Sequence, residues 1–115
     1  MTLEGWQEQL RRGGLEPAIL LAVARGPRYG LAIIRHLEQF TDLVVTEGTV
    51  YPILGRLTAD GLLKAEWNES EAPHPRKYYR LTECGRKRLE LMAAHWKEFI
   101  AKIARLMDAA QERHS

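Results

Sequence analysis

Six cationic residues lie close together in the second half of the chain and form its densest source of charge. Residues 48–88 carry eight Lys and Arg against five Asp and Glu, whereas the flanking segments are near neutral. Clustered cations favour binding to a polyanion such as DNA. A solvated basic surface is the plainer alternative, and charge alone does not decide between the two. The cluster consists of Arg76, Lys77, Arg80, Arg86, Lys87 and Arg88.

Other reactive side chains are few, and none falls into a catalytic or metal-binding pattern. The chain has one cysteine and four histidines, and it has no GxGxxG, P-loop or HExxH sequence. Cys84 lies where a helix is expected to begin, but no histidine stands at a motif-like spacing from it. A structural zinc site would need clustered Cys and His ligands. We therefore expect no enzyme, no metal and no cofactor.

Length and composition indicate the class of protein that carries these residues. The chain has 115 residues, of which 45% are hydrophobic and 28% charged, as is typical of one globular domain with or without an extension. A single cysteine cannot form an internal disulfide. No apolar run reaches the roughly 18 residues of a membrane span, and the first residues lack the features of a secretory signal. We expect a cytoplasmic protein with no membrane partner.

Apolar spacing predicts helices through most of the chain. The first is a short amphipathic helix, Leu3–Arg12, which Gly13 and Gly14 are expected to interrupt. The second runs from Glu16 to about Ala24, and Pro17 suits its first turn. This second helix is almost wholly apolar, so we expect it to be buried on most sides.

Two further helices carry buried stripes. One is predicted from about Arg28 to Phe40, and an apolar connector at residues 43–45 follows as a strand or a loop. The next has its N-cap near Gly48 or Thr49, which places Pro52 at about the third helical position, and it ends near Gly61. The predicted inner faces are Ile33, Ile34, Leu37 and Phe40 in the first and Val50, Ile53, Leu54 and Leu57 in the second.

The remaining pattern predicts a β-hairpin and a long final helix. Residues 62–67 and 76–81 alternate in polarity around a polar tip. Tyr79 and Leu81 are expected inside, and Tyr78 and Arg80 outside. Thr82 suits the N-cap of a helix over residues 83–112. Helices followed by a hairpin and another helix predict a mainly α (α+β) fold, a winged helix-turn-helix with a C-terminal helical extension.

With these elements, the chain resembles the PadR family of bacterial transcriptional regulators. Residues 15–30 are similar to that family's first core helix and the turn after it. The family's recognition-helix signature is matched by residues 47–52, together with Leu54, Leu57 and residues 61–63. Residues 77–82 with Gly85 are similar to its second wing strand. The single final helix resembles the short-tailed members. The resemblance covers about 75 residues and implies a DNA-binding regulator.

In a winged helix-turn-helix the second helix of the pair lies in the major groove. Its predicted outward residues here are Thr49, Tyr51 and Arg56, with Pro52 small enough for close approach. Arginine reads guanine well, while hydroxyls more often contact phosphates. For Tyr51 the alternative is a lid packed on a helix end. The wing adds Arg76, Lys77 and Tyr78, with His74 as a possible helper, although Glu69 and Glu71 make its tip less basic.

The final helix carries an apolar seam. Seven residues at alternating spacings of three and four follow a heptad pattern, namely Leu89, Met92, Trp96, Phe99, Ile103, Leu106 and Ala110. One small domain cannot easily bury such a helix, so we expect a homodimer, and the family resemblance implies the same. Trp6 and Leu10 are expected to pack on the partner's seam. The chain then divides into a DNA-binding domain, residues 1–82, and a dimerisation helix, residues 83–115.

A two-fold dimer would present two recognition helices to a pseudo-palindromic operator. The resemblance also implies that flat aromatic effectors bind between the dimerisation helices of some members. Met92, Trp96, Phe99 and Ile103 could serve that role here, or they could simply fill the dimer core. We expect a repressor that a small aromatic ligand releases. The alternative is a winged helix used only for protein–protein contact, because Arg56 is the single charged residue predicted on the outward face of the recognition helix.

Overall fold

The computed structural model, which describes residues 1–41, 45–71 and 73–112, is mainly helical with one small sheet. Residues 43 and 44 of the predicted connector and residues 113–115 lie outside that description. A short 3-10 turn, Glu69–Glu71, follows the second strand. The elements are α1 (Leu3–Ala22), β1 (Arg28–Tyr29), α2 (Gly30–Thr41), α3 (Glu47–Ala59), β2 (Leu63–Asn68), β3 (Arg76–Leu81) and α4 (Glu83–Glu112).

Helix α1 is continuous, so the predicted interruption at Gly13 and Gly14 and the predicted new helix start at Pro17 are wrong. Thr2 caps the helix, since its Oγ1 accepts a hydrogen bond of 3.0 Å from a backbone N–H of the first turn. Each glycine costs about 1 kcal/mol relative to alanine in a helix. The helix runs through both glycines despite that cost and packs on α4, where the Trp96 ring lies 3.6 Å from where a Gly14 Cβ would stand.

The two residues before α2 form a strand that the sequence pattern does not indicate. Arg28 and Tyr29 pair with Tyr79 and Tyr78 of β3, so α2 begins at Gly30 rather than at the predicted residue 28. A strand of two residues has no periodicity to detect. It forms because the edge of β3 offers backbone groups that need partners.

Helix α3 begins earlier than predicted. Its N-cap is Thr46 and its first residue Glu47, not Gly48 or Thr49, so Pro52 lies in the helix interior. The missing N–H of Pro52 leaves the Gly48 carbonyl without its usual helical donor. Gly48 is exposed, so water can hydrogen-bond that carbonyl.

The three strands form an antiparallel sheet in the order β1–β3–β2, and β2 and β3 are the predicted hairpin. In the register Leu63 pairs with Leu81 and Ala65 with Tyr79, on the face that packs on the helices. Arg80, on the other face, is exposed as predicted. The buried core draws on every helix and consists of Leu15, Ile19, Leu20, Ala22, Val23, Ile33, Ile34, Leu37, Val50, Leu54, Leu57, Leu62, Leu63, Tyr79, Leu81 and Leu89.

Phe40, which was predicted on an inner face, is exposed, and so is Leu21 of the segment that was expected to be buried on most sides. Leu21 of α1 is 57% exposed and Phe40 at the end of α2 is 74% exposed. Phe40 contacts His36, with ring centroids 4.7 Å apart. An apolar run fixes which residues are able to enter a core, but only the packing of neighbouring helices decides which face is covered.

The hairpin, α3 and α4 meet at one tight junction. Gly61, with φ of 79°, ends α3 as predicted. Thr82 caps α4, because its Oγ1 accepts a hydrogen bond of 3.0 Å from the Gly85 N–H and lies 2.6 Å from the Gly61 carbonyl, to which it donates. A Cβ at Gly85 would overlap the carbonyl oxygen of Leu62, so this close approach requires glycine.

Candidate nucleic-acid interface

Helix α3 is held by one fully buried side and presents the other to solvent. Val50, Leu54 and Leu57 are completely buried, which fixes the rotation of the helix about its axis. Val50 therefore belongs to the core, as expected. The exposed side carries the four predicted DNA-contacting residues of this helix, Thr49, Tyr51, Pro52 and Arg56.

Tyr51 packs on the start of α2 while keeping much of its ring in solvent. A Cβ at Gly30 would lie 2.5 Å from the Tyr51 ring, so only glycine leaves room for the ring at this point. The side chain is nevertheless 42% exposed. Tyr51 thus combines the two roles considered for it, a cover over a helix end and a surface phenol able to donate a hydrogen bond.

Behind Tyr51 lies a second phenol that remains protonated at neutral pH. Burial raises the pKa of Tyr79 above its ordinary value of 10.0, and the neighbouring Tyr51 phenol raises it further. The stability that comes from burying the neutral phenol is complete below the unfolded pKa and is lost only as the pH rises above it. At physiological pH the Tyr79 side chain beneath Tyr51 is therefore uncharged.

Arg56 is turned toward α1. Its Nη2 lies 3.1 Å from Oε2 of Glu16, and the two side chains remain 56% and 31% exposed. Exposed ion pairs contribute at most about 1 kcal/mol, so Arg56 can exchange Glu16 for a phosphate or a base at little cost. Glu16 was not among the residues selected from the sequence.

One face of the hairpin joins β1 through stacked aromatic and cationic groups. The Arg76 guanidinium lies 4.3 Å from the centroid of the Tyr29 ring, which meets the half-buried Tyr78 ring edge-on at 5.6 Å. Further along this face, Glu66 lies 3.3 Å from Arg80 and 3.9 Å from Lys64. Two cations on this face, Lys64 and Arg80, therefore share an acidic neighbour. Tyr29 belongs to the unpredicted strand, and no sequence signal indicated it.

The opposite face of the hairpin carries a cation beside an exposed indole. The Lys77 Nζ lies 5.9 Å from the Trp67 ring centroid and 5.9 Å from that of Tyr79. Trp67 is 62% exposed. It was missed as an interface residue, although its predicted strand and its position across from Lys77 were available signals.

The other predicted site lies along α4. An apolar cavity of about 450 Å³ between α1 and α4 brings together Met92, Trp96 and Phe99. Trp96 is 40% exposed and Phe99 60%. Ile103, the fourth predicted residue, is half-buried one helical turn beyond this cavity and does not line it. The walls supplied by α1 are Gly13 and Pro17.

Metal and membrane features are absent from the part of the chain that the structure describes. Within residues 1–41, 45–71 and 73–112, no group of His, Cys, Asp and Glu side chains is arranged to hold a metal ion. Over the same ranges, no helix combines the length and the apolarity needed to cross a bilayer. Cys84 is a free, exposed thiol.

A helix pair followed by a two-stranded wing, with an anchored second helix that exposes polar groups, defines a winged helix-turn-helix protein. Comparison with known proteins supplies the family. Residues 19–91 match the model of the transcriptional regulator PadR-like family. Because this match spans more than half of the chain, the chain belongs to the PadR-like family, whose members are transcriptional regulators that bind DNA and are not enzymes.

Solved structures of this class resemble the chain over most of its length. A PadR-like transcription factor from Bacteroides fragilis is 41% identical, with 89% of this chain and 98% of that one covered and a TM-score of 0.75. A PadR family transcriptional regulator from Eggerthella lenta is 32% identical, with 91% of each chain covered and a TM-score of 0.83. A PadR-like transcriptional regulator from Bacillus cereus is 28% identical, with 86% and 96% covered and a TM-score of 0.78.

Proposed function

We propose that this PadR-like regulator is a homodimeric repressor that binds a pseudo-palindromic operator and acts in the cytoplasm, where that DNA is found. Residues 1–82 form its DNA-binding domain, and residues 83–115 its dimerisation helix. The observation that carries the dimer is the apolar exposure of α4 beyond Met92, where Phe99 is 60% and Leu106 66% exposed. A two-fold axis through α4 would duplicate α3 and match a palindromic site.

The DNA contact is proposed to use the exposed side of α3 and the wing. Arg76 and Lys77 approach phosphates, and Tyr78 supports Arg76 through the Tyr29 ring it packs against. Occupation of a promoter by the dimer would exclude polymerase, which makes repression the simplest outcome. On α3 the contacts are assigned to Thr49, Tyr51, Pro52 and Arg56.

Relief of repression is proposed to involve the cavity between α1 and α4. Its lining is mostly apolar and contains Trp96 and Phe99, which suits a flat aromatic molecule. Such a ligand shifts DNA affinity only if it binds the two arrangements of the dimer unequally. A cavity that merely packs against a second copy of the chain would bind no such ligand.

The test is fluorescence anisotropy with a labelled duplex from upstream of the chain's own gene, beside a scrambled duplex, at low and near-physiological salt. We expect tighter binding to the upstream duplex and a loss of affinity as salt rises. Tyr51→Ala and Arg56→Ala should each weaken binding without unfolding the protein. Unchanged affinity in both variants would remove these residues from the interface.

One observation favours the competing function, a winged helix that binds only another protein. Arg56, the single cation on α3, is already paired with Glu16. Absence of binding to either duplex at low salt, with the dimer intact, would favour this alternative over the repressor.

A further inference from the structure

The hairpin has one face on which three directly opposed residue pairs run outward from the core. The first two pairs, Leu63 with Leu81 and Ala65 with Tyr79, pack on the helices. The third pair is Trp67 with Lys77. Because opposed residues of antiparallel strands project to the same side, Trp67 and Lys77 continue the helix-facing side of the hairpin beyond the edge of the core.

This outer pair lies on the same side of the sheet as the recognition helix. Helix α3 packs on β2, and its Tyr51 is close enough to Tyr79 to raise the pKa of that phenol. Lys77 lies 5.9 Å from the same Tyr79 ring. Tyr51, Tyr79, Lys77 and Trp67 therefore follow one another from α3 along the inner side of the wing.

The chemistry of the pair differs from that of the opposite face. There, Glu66 lies within 4 Å of both Lys64 and Arg80 and offsets their charge. Among the described side chains, Lys77 forms no such ion pair, and its ammonium group lies 5.9 Å from each of two aromatic rings, those of Trp67 and Tyr79. An indole has one polar atom, an N–H donor, and leaves its ring free to lie against a sugar.

We propose that Trp67 and Lys77 form a duplex-DNA contact on the inner side of the wing, in which the indole N–H and the ammonium group bind phosphates of the backbone. This inference rests on the proposed DNA-binding function and adds Trp67 to it. The contact positions the wing and carries no sequence preference, since phosphates are the same in every sequence. A large exposed indole is held there because a duplex covers it.

The test exploits the three tryptophans of the chain, Trp6, Trp67 and Trp96. The full-length protein is labelled with 5-fluorotryptophan, and the three fluorine resonances are assigned by single Trp→Phe variants. Addition of the upstream duplex, or of the scrambled duplex at low salt, should shift the Trp67 resonance. The resonances of Trp6 and Trp96, which lie on α1 and α4, should move less and serve as internal references.

Binding measurements on variants accompany the spectra. Trp67→Ala should weaken binding to both duplexes by about tenfold, and Trp67→Phe, which keeps a ring but loses the N–H, by less. Lys77→Ala should lower the slope of log affinity against log salt by about one. Lys64→Ala removes the same charge from the opposite face and should leave the slope unchanged. Thermal unfolding checks that each variant stays folded.

Three results would overturn the proposal, and they have different meanings. If the wild-type chain binds DNA while the Trp67 resonance stays fixed and Trp67→Ala binds equally well, the wing contact is wrong and the repressor stands. If the wild-type chain binds neither duplex at low salt, the proposed function fails and the wing contact fails with it. If Lys64→Ala and Lys77→Ala lower the salt slope equally, the charge effect belongs to the hairpin as a whole. That result would also reject a specific contact by Trp67 and Lys77.

Discussion

Helix α4 carries one apolar stripe along its length, but its two halves have different surroundings. In the first half, Gly85 and Leu89 are buried against the hairpin and the helices. In the second half, residues at the same heptad positions, such as Phe99 and Leu106, are mostly exposed. The same pattern thus belongs first to a core within the chain and then to an apolar surface that the chain itself leaves uncovered.

The contrast shows that an apolar period identifies which face of a helix is suited to burial but does not identify what covers that face. A 30-residue helix is about 45 Å long, and the molecule is 65 Å in its longest dimension but only 30 Å and 22 Å in the others. A domain of that width can cover only part of the helix. Leu89 is covered by the chain itself, and the exposed remainder of the stripe is the surface proposed above to pack against a second copy.

Phe99→Glu should have the largest effect, on association alone. Burying a phenylalanine contributes about 2 kcal/mol, and a two-fold interface contains the site twice, so the dimer should weaken by roughly 4 kcal/mol, or about 1000-fold in Kd. Analytical ultracentrifugation should report the 13.2 kDa protomer in place of a species of twice that mass.

Ala101→Glu is the matched control for that experiment, since it adds the same charge to an exposed position on the other side of the helix. It should remain dimeric. Dissociation of both variants would attribute the effect to charge on α4, and an unaffected Phe99→Glu dimer would place the interface elsewhere.

Leu89→Ala should have the opposite signature. It removes a buried side chain from the core of the protomer, and large-to-small substitutions of this kind lower the free energy of unfolding by about 3 kcal/mol. Denaturant titrations at two protein concentrations separate a loss of folding stability from a loss of association. When Leu89→Ala is combined with Phe99→Glu, which is expected to be monomeric, the free energy of unfolding should fall by the same amount at both concentrations. A loss confined to the dimeric background would move Leu89 into the intermolecular surface.

Trp96→Ala tests the boundary between the two halves of α4. It should lower both the stability of the protomer and the stability of the dimer, each by less than the two substitutions above. Trp96 is 40% exposed, and its ring lies 3.6 Å from where a Cβ on Gly14 of α1 would stand. We expect about 2 kcal/mol, divided between unfolding and dimer dissociation. Fluorescence of 1-anilinonaphthalene-8-sulfonate, titrated into wild type and variant, measures the cavity directly. If neither association nor dye binding changes, the seam and the cavity assignments both fail.

The same boundary explains which features could be predicted from sequence. Residues 83–112 and the two faces of the hairpin follow from periods of 3.6 and 2, which local geometry imposes. The continuity of α1 through Gly13 and Gly14 does not follow, because α1 packs on α4, which is distant in the sequence, and a local pattern cannot show that contact. The strand Arg28–Tyr29 likewise exists only because β3 lies beside it.

The candidate site divides in the same way. That Tyr51 and Arg56 are exposed on α3 follows from the spacing of Val50, Leu54 and Leu57, so the sequence predicted it. What each one contacts does not follow. Tyr51 covers Gly30 and Arg56 pairs with Glu16, 40 residues earlier, and such partners are fixed only when the helices pack.

Glu16→Gln should have the smallest effect of these substitutions. It tests a turn of α1 that lies between the two proposed sites, since Glu16 pairs with Arg56 of α3 and the neighbouring Gly13 and Pro17 line the cavity at α4. Loss of an exposed ion pair should cost less than about 1 kcal/mol of stability. The released Arg56 should bind a phosphate, so duplex affinity should rise about threefold at low salt, with a steeper salt dependence. Anisotropy titrations check this, and in Glu16→Gln/Arg56→Ala the gain should disappear. A gain that persists in the double variant would mean that Glu16 acts only by repelling DNA.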